Sequence, residues 1–189
     1  MTNIIKIANQ ALLLLGENTI QSLTEDTTEA HAVDAFYADT RDYVLTDLKP
    51  PFARARVALG EPLQPAAVGD TPYRYTIPVE AMVVVTAGSD DREFTEWTLE
   101  GRELLARQPL TWLTYVYSRT DVEAFMDAMF VKAIVAFLAS ELAYPVMASK
   151  ERSTELAQLY NLRASEARNL YGQQSSVRLT KNDELSVRR

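Results

Sequence analysis

The apolar residues of this chain change period twice, and no other feature constrains its fold as strongly. Up to Leu48 and again from Asp127 they recur every three to four positions, the spacing of one helical face. From Phe52 to about residue 119 they alternate, the spacing of strands. Pro50-Pro51 marks the first change, because proline fixes φ and lacks the N–H that a continuing helix needs. A chain that alternates its periods in this order predicts an α+β fold. The expected form is a four-helix body with a small antiparallel β insertion between the second and third helices and an extended C-terminal tail.

The helix limits follow from punctuation. Thr2 or Asn3 caps a first helix, whose Ile4, Ile7, Ala8, Ala11, Leu12 and Leu15 share a face and which Gly16 ends. The unbroken block Leu12, Leu13, Leu14 and Leu15 covers more than one stripe, so this helix should be contacted on two sides, within the fold or by a neighbouring chain. Ser22-x-x-Glu25 and Asp26-x-x-Glu29 both read as capping boxes for a second helix. Asp127 to Ala143 is apolar almost all round, the pattern of a central helix, and Tyr144-Pro145 should stop it. Asp127, Lys132 and Glu141 argue against a membrane span within the same stretch. Ser149 opens a fourth helix that Gly172 should end. The spacing thus predicts helices over about 3–15, 26–48, 127–143 and 149–171 and a β insertion over about 52–119. Together these make one domain, 1–172, followed by a flexible arm, 173–189.

Within the insertion, Tyr73 to Pro78, Met82 to Thr86, Thr95 to Leu99 and Leu113 to Tyr117 read as strands, with a turn at Gly88 to Asp91. Trp112, Thr114 and Val116 give the last strand a second apolar face, so it should lie centrally or under cover. Arg54 and Arg56 fall on one face of a possible strand. They read as a solvated strand face more readily than as a phosphate clamp. Tyr73, Arg74 and Tyr75 have the composition of a stacking platform for single-stranded nucleic acid, a reading that the net acidic charge of the chain disfavours.

Chemistry is sparsely signalled. There is no cysteine, which excludes disulfides and thiolate chemistry, and the single histidine, His31, sits beside Glu29 and Asp34 with no nucleophile to serve. No phosphate-binding glycine loop, HExxH or nucleophile elbow occurs. The acids at Glu25, Asp26 and Glu29 are explained by capping, and those at Asp90, Asp91 and Glu93 fall in a turn. No catalytic, cofactor-binding or metal-binding residue is therefore assigned, and no enzyme activity is expected. The net charge of −7 disfavours adhesion to DNA or to an anionic membrane through bulk charge. By contrast, residues 173–189 are polar and basic, with Arg178, Lys181, Arg188 and Arg189 outweighing Asp183 and Glu184.

The order of these signals resembles a known family. "ALLLLGENTIQSLTEDTTEA" followed by "FYADTRDYVL" is similar to the opening of phage tail tubular protein A, the head-to-tail adaptor of short-tailed phages. The matching residues are Leu14, Leu15, Gly16, Ile20, Ser22, Leu23, Asp26, Thr27, Glu29 and Ala30, then Tyr37, Arg41 and Asp42. "PPFARARVAL", "YRYTIPVEAMVVV", "WTLEGRELLA" and "FMDAMFVKAIVAFLASELAYPVMAS" continue the likeness to about Tyr171. Two features depart from it. Pro50-Pro51 replaces a tryptophan–asparagine pair, and nothing after Gly172 aligns.

The resemblance implies a virion structural protein of the tail or neck, made in the host cytoplasm. It implies a ring of copies, commonly twelve, with portal protein above and tail nozzle or tail tube protein below. DNA passes through such a ring without specific binding. On that reading Arg178, Lys181, Arg188 and Arg189 are expected to face the portal, and Leu12 to Leu15 to join subunits. No cofactor or membrane is implied. The alternative is an acidic binding module, such as a DNA-mimic inhibitor of a basic DNA-binding protein.

Overall fold

The structure is a computed structural model that describes residues 3–64, 69–118 and 122–175. It divides into two compact units, one of residues 1–44 and 123–189, the other of residues 45–122.

The first unit is helical. Helix α1 (Ile4–Leu15) is capped by Asn3, whose side chain accepts from the Lys6 N–H at 2.8 Å. It closes on Gly16, left-handed at φ 82°. Asn9 then fixes the connector from both sides: its carboxamide accepts from the Ile20 N–H and donates to the Ile20 carbonyl, each at 2.8 Å. Ile20 is thereby buried where the chain turns.

Helix α2 (Thr28–Leu48) starts two residues later than expected, because Thr27 caps it: its hydroxyl accepts from the Ala30 N–H at 3.2 Å. Glu25 accepts from the Gln21 and Ser22 N–H groups (2.6 and 2.9 Å), half of a capping box in which no helix begins. The acids near 25–29 thus hold a turn as well as a helix start.

Helix α3 (Ala128–Met147) takes Asp127 as its N-cap, one oxygen accepting from both the Met129 and Phe130 N–H groups at 2.9 Å. It runs through Pro145 rather than stopping there. The proline falls in the last turn, where its missing N–H costs one bond only, and the helix ends at Ala148 in a left-handed conformation, φ 53°. By length and composition α3 is apolar enough to cross a membrane; here Phe130, Ile134, Leu138 and Leu142 are wholly buried within the helical unit.

Helix α4 (Lys150–Ser175) continues past Gly172, so residues 173–175, expected to begin an arm, are helical. The rest of that arm lies outside the described residues. Rings join three helices: Tyr43 of α2 stacks on Phe137 of α3 at 4.6 Å, and Phe137 meets Tyr160 of α4 at 4.8 Å.

The second unit corrects the expected architecture. A four-helix body with a small β insertion does not describe this chain, because among the described residues the alternating segment forms two antiparallel sheets of seven strands. The first sheet contains β1 (Arg54–Ala58), β3 (Ala81–Ser89), β4 (Arg92–Phe94) and β7 (Trp112–Tyr117), in the order β1-β7-β3-β4. The second contains β2 (Tyr73–Thr76), β5 (Trp97–Glu100) and β6 (Glu103–Ala106), in the order β2-β6-β5.

One hydrophobic core joins the two sheets: Leu113, Tyr115, Val84 and Ala87 from the first, Tyr75, Leu104 and Ala106 from the second. A short strand alone buries too little surface to be stable, so several must pair and close over one another, and the result is a body in its own right. Strand β7 lies between β1 and β3, as its two apolar faces predict. Strand β4 is absent from the sequence reading, which placed a turn just before it. It pairs Phe94 with Ala87 and Glu93 with Gly88.

Candidate interaction surface

Helical geometry splits the leucine block. Leu12 and Leu15 join Ile7, Ala8 and Ala11 on the buried stripe of α1. Leu13, a hundred degrees round the helix from Leu12, is 63% exposed, and Leu14 is half-buried. Both face a groove of about 360 Å³ between α1, α3 and α4. Val135, Ala136 and Leu159 complete its apolar wall, and Gln10, Lys132 and Arg163 supply its polar groups. Arg163 is partly engaged by Glu166 at 3.5 Å. The four leucines expected to join subunits therefore divide into two core residues and two that reach a surface groove.

A buried polar network lies elsewhere in the helical unit. Glu123, 6% exposed, accepts from the Tyr37 hydroxyl at 3.2 Å, and Arg41 Nη1 stands 3.5 Å from the same oxygen. Arg41 Nε donates to Asp42 at 2.8 Å. Burial first, then the adjacent carboxylate, pushes the Tyr37 phenol well above its ordinary range. The carboxylates of Asp42 and Glu123 raise the Arg41 guanidinium against the opposing effect of burial. Tyr37 and Arg41 both keep their protons near neutral pH, and through them Glu123 ties α2 to the segment that precedes α3. Tyr171 repeats the device: its hydroxyl donates to the second oxygen of the cap Asp127 at 2.8 Å, and burial and that carboxylate raise its pKa. Tyr37, Arg41 and Asp42 are residues on which the family resemblance rests. Their partner Glu123 escaped the sequence reading because nothing local distinguishes a buried acid from a solvated one.

His31 is exposed and lies 3.6 Å from Asp26. The stacking platform is dismantled: Tyr75 points into the core, its hydroxyl accepting from the Leu110 N–H, while Arg74 is held by both oxygens of Glu103. A small cleft of about 190 Å³ in the β unit is lined by Glu93, Glu96 and Gln108, with Arg107 3.8 Å from Glu96. Among the described residues no three His, Asp or Glu side chains converge as ligands for a metal ion. Arg178, Lys181, Arg188 and Arg189 lie outside the described residues. The chain matches no protein-family model and no curated protein.

Proposed function

We propose that this chain is a head-to-tail adaptor, a virion structural subunit that assembles into a ring between portal and tail and continues the DNA channel. The apolar groove carrying Leu13 and Leu14 supports this reading most directly. A leucine left 63% exposed beside an apolar wall is surface that a neighbouring subunit would bury. A ring needs such a patch to meet a different patch on the next copy. The motif residues that resemble tail tubular protein A also act together here. Gly16, Ile20 and Thr27 shape the connector, and Tyr37, Arg41 and Asp42 build the anchor around Glu123.

The test is assembly. Purified chain, alone and with a portal ring, is followed by light scattering and electron microscopy for wild type and Leu13→Asp. Leu13 is exposed, so the substitution loses little burial; the lower helix propensity of aspartate and its charge in the last turn of α1 should cost about 1 kcal/mol and leave the monomer folded. It should abolish ring formation on the portal. A wild-type chain that forms no ring with portal, or a Leu13→Asp chain that assembles as well as wild type, refutes the reading.

A further inference from the structure

The open edge of the first sheet carries two arginines with no acid to meet them. Arg41, Arg74, Arg107, Arg152 and Arg163 each stand against a carboxylate. Arg54 and Arg56 have none among the described residues, although the chain is acidic overall. Both are held in place. Arg54 Nε donates to the Lys49 carbonyl at 2.7 Å, and burial lowers its pKa with no opposing charge. The Arg56 guanidinium lies over the Trp112 ring, its Cζ 4.1 Å from the centroid, with Nε donating to the Thr114 hydroxyl at 3.3 Å. The indole is fixed in turn, donating to the Asp90 carbonyl at 2.9 Å. The outer nitrogens of Arg56 remain without an acceptor among the described residues.

The backbone beside them is also open. The Leu59 N–H donates to the Thr111 carbonyl, towards β7, while the Arg54 N–H turns away to Pro51. Alternation along an antiparallel strand then directs both the N–H and the C=O of Arg56 and Ala58 to the outer edge. Both residues are exposed, and β1 ends its sheet. Alternate residues on a strand stand about 6.6 Å apart on one face, so Arg54 and Arg56 form a regular pair of cations beside an unused ladder.

We propose that β1 is a docking edge for an extended acidic segment of a partner protein. The segment adds a strand to the sheet and sets carboxylates two residues apart against Arg54 and Arg56. A phosphate backbone would use the N–H groups and the guanidinium groups but leave the outward carbonyls of Arg56 and Ala58 unmet, whereas a polypeptide strand satisfies both. A second copy of β1 is disfavoured, because antiparallel pairing would place arginine near arginine. Among the described residues no strand of this chain carries two acids at that spacing within its own bounds, and the proposal takes the partner to be another protein. This inference does not depend on the adaptor reading.

The test uses labelled peptides and fluorescence anisotropy at low salt. Thr-Glu-Val-Glu-Val-Thr should bind the intact chain at least fivefold more tightly than Thr-Glu-Glu-Val-Val-Thr, which has the same charge without the alternation. Arg56→Glu should weaken the first peptide at least tenfold. Ala58→Pro removes an outward N–H that the ladder to β7 does not use, and should weaken binding comparably while circular dichroism stays unchanged. Equal binding of the two glutamate peptides would overturn the proposal by reducing it to bulk charge. So would tighter binding of a trinucleotide, whose two phosphates carry the same charge, or no loss of binding in Arg56→Glu.

Discussion

Replacing Glu123 by alanine isolates what a buried anchor contributes. The carboxylate is 6% exposed and meets two groups. Its bond from the Tyr37 hydroxyl is long at 3.2 Å, and its approach to Arg41 is longer still at 3.5 Å. Breaking a buried ion pair by deleting one member typically costs about 3–5 kcal/mol, because the other charge is stranded. Arg41 is not stranded here, since it keeps Asp42 at 2.8 Å. The larger loss falls on Tyr37, itself 4% exposed, whose hydroxyl would be left without an acceptor at about 1–3 kcal/mol.

Glu123→Ala should therefore destabilise the chain by about 2–3 kcal/mol, and Glu123→Gln, which retains an acceptor oxygen, by about 1 kcal/mol. Urea unfolding followed at 222 nm, where the helices dominate, measures both. The decisive comparison adds Tyr37→Phe. In the alanine background, removing the orphaned hydroxyl should recover about 1 kcal/mol, whereas in the wild type the same change should cost a similar amount. A loss below about 0.5 kcal/mol for Glu123→Ala, or a Tyr37→Phe effect of the same sign and size in both backgrounds, refutes the argument.

Other positions give independent expectations. At Gly88 an added Cβ would stand 2.0 Å from the Arg92 carbonyl oxygen and 2.6 Å from the Trp112 ring, so Gly88→Ala should cost about 2 kcal/mol or more and shift Trp112 emission. Chemical denaturation followed by tryptophan fluorescence reads both. Ala148 caps α3 at φ 53°, a conformation that favours glycine, so Ala148→Gly should raise stability by about 0.5–1 kcal/mol in thermal melts.

The alkaline limb of the stability curve is set by tyrosines. Burial and the Glu80 carboxylate raise Tyr115 to about 12, and Tyr37 and Tyr171 are raised further. The folded chain thus holds protons that the unfolded chain releases from pH about 10 upward. The stabilisation is complete below that pH and is lost as pH rises, with a slope of about 1.4 kcal/mol per unit for each group. Tyr171→Phe should make the decline between pH 10 and 12 shallower by about one third, measured by urea unfolding at stepped pH.

Much of the local structure was legible because its causes are local. Gly16 ends α1, Asp127 caps α3 and the Leu113 to Tyr117 alternation gives a strand, each because a backbone group or a face must be satisfied within a few residues. Gly172 and Pro145 misled as stop signals. Glycine in a helix is only a modest penalty, and proline near a helix end removes a bond that is soon lost anyway.

What the sequence by itself determined is the order of the helices, the division of periods and the apolar stripes, since these follow from residue type and spacing alone. Only the tertiary structure decided that the alternating segment closes into two sheets around its own core, that Glu123 pairs with Tyr37 and Arg41 across more than eighty residues, and that Leu13 faces outward beside Leu159. Those outcomes depend on which distant surfaces meet. A residue's own type specifies how much it gains from burial, but not which partner supplies it.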